Sequence, residues 1–129
     1  MSDCLFIISN ALLVRGAQSI YSTEDRFNQT LETIKSIDEY CPNNTKIMFD
    51  ASPDVPDESY FAKIHETGTS VVYTGNNPDV NQVSSLGLKS IGESISYLMT
   101  LNWIKETGIN CKRIYKISGR YKLNESFKP

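Results

Sequence analysis

The sequence predicts an α/β fold, a Rossmann-like three-layer α/β/α arrangement on a mainly parallel sheet of about four strands. Three observations carry this expectation. Short β-prone apolar runs recur along the chain, all but the last are followed by a stretch of helical period, and the runs are continuous rather than alternating. A continuous run belongs to a strand covered on both faces, as parallel strands are.

The first run, Cys4 to Ile8, is read as a strand, and a connecting loop is placed between Asn10 and Tyr21 because Arg15-Gly16 breaks any extension. Ser22 then stands as an N-cap with Glu24 and Asp25 in the first turn. Phe27, Leu31, Ile34 and Ile37 follow at helical spacing to about Tyr40, where Cys41-Pro42 ends the helix. Lys46 to Phe49 is the second strand, and it delivers Asp50 to its C-terminal edge ahead of the polar turn Ala51-Ser52-Pro53-Asp54. Pro56 to Thr67 reads as a short helix closed by Gly68 at C′, and Thr69 to Thr74 as the third strand. A long helix is expected next, opening near Lys89, with Leu88, Ile91, Ile95, Leu98, Met99 and Trp103 as its apolar stripe and Gly108 at its end. Arg113 to Ile117 is the fourth strand. Ile7, Ile47, Val71 and Ile114 are expected to be buried in central strands.

Composition narrows the class. A chain of 129 residues with 40% hydrophobic and 22% charged content supplies one core and one domain, spanning residues 1–129. A net charge of −2 gives no electrostatic reason to expect nucleic acid, which recruits a basic face. No run of eighteen or more apolar residues exists, so no membrane span is predicted, and Asp3 with no basic n-region argues against a signal peptide. A cytoplasmic location follows as an expectation. Cys4, Cys41 and Cys111 are odd in number and lack C-x-x-C spacing, which points to reduced, mostly buried thiols rather than a disulfide framework or structural metal. The segment Lys122 to Pro129 trails the last strand with no helix to cover it, so the fold reads as cut short, and self-association or a partner chain is expected to cover the incomplete sheet.

In open α/β sheets, ligands bind outside the carboxyl ends of the strands. That rule selects Ser9 and Asn10 after the first strand, with Arg15 further along, the turn Asp50 to Asp54, and Ser118 to Tyr121 after the fourth. Asp50 can accept from a nucleobase N–H or a ribose hydroxyl, with Ser52 and Asp54 shaping the turn around it; an Asx-turn or capping role is the alternative for both acids. Arg120 presents a planar guanidinium suited to a diphosphate, and Lys89 opens a helix whose N-terminus attracts anions; an ordinary turn and a solvated first turn are their alternatives. His65 stands alone on a helix flank. No G-x-G-x-x-G, P-loop, G-x-S-x-G or His-Glu metal motif is present.

With these residues in place, the chain resembles the GT-A-type nucleotide-diphospho-sugar transferases, in their N-terminal, nucleotide-binding half. Phe49-Asp50-Ala51-Ser52-Pro53-Asp54 looks like the family's Asp-x-x-Ser-x-Asp-like turn that contacts the donor nucleoside. Gly87 to Glu93 looks like the segment leading into the helix before the fourth strand. Arg26 to Ile37 and Lys116-Ile117-Ser118-Gly119-Arg120-Tyr121 are similar to runs in glycosyltransferase-like proteins of bacteria and phages. The resemblance implies a nucleotide-sugar donor, with Ser9, Asn10, Asp50, Ser52 and Asp54 on the nucleoside side and Lys89 and Arg120 on the diphosphate. Metal-dependent members carry Asp-x-Asp after the fourth strand; Ser118-Gly119-Arg120 stands there instead, so no metal cofactor is expected. The acceptor site and catalytic base of such enzymes follow this strand, so transfer to an acceptor is expected only of a longer chain. Two alternatives remain open: a non-catalytic α/β structural or interaction module, and another Rossmann-like binder of a nucleotide or small anion.

Overall fold

A computed structural model describes residues 3–14 and 21–129. The element order is β1 (Cys4–Asn10), α1 (Thr23–Tyr40), β2 (Asn44–Asp50), α2 (Glu58–Glu66), β3 (Thr69–Tyr73), α3 (Pro78–Ser85), α4 (Lys89–Thr107) and β4 (Arg113–Ser118). All three strand pairings are parallel, in the spatial order β3-β2-β1-β4. The expected α/β fold is therefore present, as a four-stranded all-parallel sheet flanked by helices. The chain winds from β1 out to β3, then crosses back over the sheet to place β4 on the other side of β1. This reversal puts the switch point between β1 and β4.

Strand alternation explains the layers, because successive side chains point to opposite faces. Cys4, Phe6, Ile8 and Met48 pack with Phe27, Ile34 and Ile37 of α1 and Ile64 of α2, while Leu5, Ile7, Ile47 and Phe49 face Ile104 of α4. Every residue of β1 is buried. α1 starts where its sequence predicts: the Ser22 hydroxyl accepts from the Asp25 N–H at 3.1 Å, and the Asp25 carboxylate accepts from the Ser22 N–H at 3.3 Å. This reciprocal pair satisfies two otherwise orphan donors. Gly68 follows the C-cap of α2 with φ +83°, and Gly108 closes α4 with φ +71°. The three cysteines are free thiols, with Cys4 and Cys41 buried and Cys111 half-buried. No helix among the described residues is long and apolar enough to cross a membrane.

The structure departs from the sequence expectations at four places. The segment before α4 holds a separate helix, α3, which starts at Pro78 with the Asn77 side chain accepting from the Asp79 and Val80 N–H groups. Half of the expected stripe of α4 lies on its outer side: Leu88, Ile91 and Leu98 are 45%, 48% and 65% exposed, whereas Ile95, Met99 and Trp103 are half-buried. What α4 buries is Gly92, Ser96, Thr100 and Ile104, because these mostly small side chains let the helix backbone lie close to the sheet. Their hydroxyls are satisfied there, Ser96 against Thr74 at 2.8 Å and Thr100 against the Ser96 carbonyl at 2.8 Å. Val71 and Ile114 lie on edge strands, so Val71 is half-buried and Ile114 is 43% exposed, while Ile7 and Ile47 are fully buried. Last, residues 121–127 fold back between β4 and α1. The Thr33 hydroxyl donates to the Tyr121 carbonyl, the Leu123 N–H donates to the Ser36 hydroxyl at 2.9 Å, and Phe127 packs tilted against Phe6 and edge-on against Tyr115 at centroid separations of 5.8 and 5.2 Å. On the α1 side, β4 is thus covered by the chain's own tail rather than by a further helix.

Candidate functional site

The ends of three strands are laced together before any side chain chemistry is considered. The Ala51 N–H donates to the Asn10 carbonyl at 2.9 Å, and the Gly119 N–H donates to the Ser9 carbonyl at 2.9 Å, which extends the ladder on both sides of β1. Gly75 is required where the β3 end crosses the turn after β2, since a Cβ there would lie 1.8 Å from the Ser52 carbonyl oxygen. The Tyr73 hydroxyl donates to that same oxygen at 2.7 Å, and the Asn81 amide holds the Pro53 carbonyl at 3.0 Å.

Above this edge lies a pocket of about 170 Å³ at the switch point. Its floor is Ser9, Asn10, Phe49 and Ala51, the β4 side contributes Ser118 and Arg120, α1 contributes Arg26, and the first turn of α4 contributes Lys89, Gly92 and Glu93. Of the residues selected from sequence, the structure brings Ser9, Asn10, Lys89 and Arg120 together here. It does not bring Asp50, Ser52 or Asp54 to the lining. Arg15 lies outside the described residues.

Asp50 sits behind the pocket wall. Its side chain is fully buried, and the carboxylate accepts from the Leu12 N–H at 3.1 Å and the Ser52 N–H at 2.9 Å. Burial pushes its pKa above the ordinary carboxylate value, against the opposing pull of those hydrogen bonds and of Arg26. Ser52, also fully buried, accepts from the Leu13 N–H at 3.0 Å. Together they anchor the loop after β1 to the turn after β2, the Asx-type role weighed from sequence. Asp54 is exposed on the outer side of the turn.

Arg26 was not selected from sequence. It lies in the opening turns of α1, and its Nε donates to the Ala11 carbonyl at 2.6 Å, so the loop that Asp50 holds from below is held from above by a guanidinium. Arg120 reaches across to α1: its guanidinium donates to the Gln29 Oε1 at 3.0 Å, to the Arg26 carbonyl at 3.2 Å and to the Asn10 Oδ1. Burial first, then the neighbouring charge of Arg26, pushes the Arg120 pKa down to about 10, which leaves it charged at neutral pH. Asn10 is fixed in turn, with its Oδ1 accepting from Thr30 and its amide donating to the Met48 sulfur. Gly119 keeps this cluster open, since a Cβ there would stand 3.0 Å from Thr30 Oγ1 and 3.1 Å from Asn10 Oδ1.

Glu93 is the lining carboxylate, and it is ion-paired with Lys116 of β4. α4 begins at the pocket rim with no side-chain cap on its N-terminus, so the positive end of its dipole adds to the three cationic side chains. The arrangement is one that attracts an anion: fixed guanidinium donors, a lysine and a helix N-terminus around one polar concavity. Compared with known protein families, curated proteins and solved structures, the chain matches none, so the fold and this pocket carry the functional reading.

Proposed function

We propose that this chain binds the diphosphate of a nucleotide-diphospho-sugar in the pocket, as a GT-A-type glycosyltransferase-like protein does with its donor. One observation carries the reading: Arg26, Arg120 and Lys89 come from three separate elements and line the same concavity at the carboxyl edge of a parallel sheet, at its switch point. Arg120 stands where metal-dependent members of that family place a carboxylate pair, and its guanidinium supplies the positive charge there as a fixed donor fork. Binding is therefore expected to be independent of divalent metal. Ser9, Asn10 and Ser118 offer neutral polar partners beside the cations.

A second reading has its own support. The Asp50-to-Asp54 turn, which the resemblance assigns to the nucleoside, spends its Asp50 carboxylate and Ser52 hydroxyl on backbone N–H groups. A fold that uses this turn as structure fits a non-catalytic α/β module. Titration calorimetry with pyrophosphate, UDP, GDP and CDP and their sugars, with and without EDTA, separates the two. Donor binding predicts millimolar or tighter affinity unaffected by EDTA, and Arg120→Ala weakens it about ten- to hundredfold, the cost of a hydrogen bond to a charged group. No binding at millimolar concentration to a folded chain gives first place to the non-catalytic module.

A further inference from the structure

Cations account for only part of the pocket lining. Ser118 and Arg120 stand at the end of β4, whereas the opposite wall lies on the β2 side of β1. That wall is made of Ala11, Leu13 and Val14 from the loop after β1, Ala51 and Pro53 from the turn after β2, and Ser84 of α3, all half-buried. Hydrogen bonds draw the three segments together. The Leu13 N–H donates to the Ser52 hydroxyl at 3.0 Å, and the Asn81 amide of α3 donates to the Pro53 carbonyl at 3.0 Å. Apart from the Ser84 hydroxyl, these side chains carry no polar atom.

The polar side chains next to this wall are turned into the protein. Asp50 holds the Leu12 and Ser52 N–H groups, the Tyr73 hydroxyl donates to the Ser52 carbonyl, and the Asn81 amide spans the Pro53 and Gly75 carbonyls. Backbone groups of the wall are engaged as well. The Ala51 N–H donates to the Asn10 carbonyl, the Ala11 carbonyl accepts from Arg26, and Pro53 has no N–H. The Ser84 hydroxyl rotates to donate or to accept, so it does not tell a donor from an acceptor.

We infer that this wall receives the organic group of a phosphate ester and holds it by burial alone, so that the hydrogen-bonding edge of a nucleobase seated there is not read. The inference rests on the anion-binding reading above and narrows its ligand to an organic ester rather than an inorganic anion. Uracil and cytosine occupy nearly the same space and differ in the donors and acceptors along one edge. A site built to pair with one rejects the other by orders of magnitude, whereas a carbon wall gives both the same burial.

Titration calorimetry on the whole chain at about pH 8, where phosphate monoesters are dianions, compares phenyl phosphate with inorganic phosphate and UDP with CDP. Phenyl phosphate is expected to bind at least about fivefold more tightly than inorganic phosphate, because burial of the ring adds to the attraction of the same charge. UDP and CDP are expected to agree within about threefold. Leu13→Ala keeps the backbone N–H that the Ser52 hydroxyl accepts, and it is expected to remove most of the phenyl gain while leaving the affinity for inorganic phosphate unchanged. That unchanged affinity shows the variant to be folded; Val14→Ala is read in the same way where Leu13→Ala does not fold. A smaller phenyl gain, a wider gap between UDP and CDP, or a folded variant that keeps the whole gain would overturn the inference and leave anion binding standing. A parent chain that binds none of these anions overturns anion binding and this inference with it.

Discussion

Replacing Asp50 by Ala removes the carboxylate on which two loop N–H groups depend. Leu12 and Ser52 donate to it at 3.1 and 2.9 Å, and the Asp50 side chain is fully buried, so water cannot take its place without a cavity opening. An N–H deprived of its acceptor in the interior costs about 1–3 kcal/mol. Two of them give about 2–6 kcal/mol, and relief from burying a charge offsets part of it, so about 2–4 kcal/mol is expected. Asn in its place keeps one acceptor and loses about half as much. The pH dependence has a definite sign. Burial raises the folded-state pKa of Asp50 above its ordinary 3.8, so its titration contributes stability that is fully present below pH 3.8 and is lost as pH rises through the folded value. Asn has no such titration, and the penalty of Asp50→Asn is expected to be larger at pH 4 than at pH 7. Urea unfolding at both pH values reads this directly, with an unchanged slope marking an unchanged fold. An Ala variant within about 0.5 kcal/mol of the parent, the usual scatter for substitutions away from critical features, would refute the anchoring role. A penalty that grows toward pH 7 would show that the hydrogen bonds, not burial, set the pKa.

Two other outcomes test the packing. Phe127→Ala strips the tail's contact with Phe6 and Tyr115 and is expected to lower stability by about 1–3 kcal/mol, read as a fall in Tm; an unchanged Tm would mean that the tail adds nothing to the sheet. Burial and the adjacent Cys4 push the Cys41 thiol up to about 11, so alkylation at pH 8 followed by mass spectrometry is expected to modify half-buried Cys111 well before Cys41, and equal rates would contradict the burial of Cys41.

The strands and α1 were legible because their signals are local. A continuous apolar run such as Cys4 to Ile8 fits a strand covered on both faces, and Ser22 with Asp25 writes a helix start into four residues. α3 had a local signal too, Asn77 as cap with Pro78 behind it, but Gly75-Asn76-Asn77-Pro78 reads equally as the end of a strand. α4 misled for a physical reason. Hydropathy finds the greasiest face, whereas this helix approaches the sheet through Gly92, Ser96 and Thr100, whose virtue is small size. At the site, Arg120 and Lys89 were found by the strand-end rule and by helix polarity. Arg26 was not, because nothing near it in sequence marks an arginine in an amphipathic helix as reaching back to the Ala11 carbonyl. Asp50 was placed correctly at its edge, yet whether a carboxylate turns outward or inward depends on N–H groups up to 38 residues away.

The close seat of α4 also decides how wide the pocket is. Lys89, Gly92 and Glu93 form one rim, and their distance from Arg26 and Arg120 follows from how near the helix axis lies to the sheet, which Ser96 and Thr100 set one and two turns further along. Exchanging either for a longer side chain would tilt the helix away and widen the mouth without altering a single lining residue. Aperture and chemistry are therefore encoded at different positions. A variant library confined to the pocket walls would sample the second and leave the first untouched.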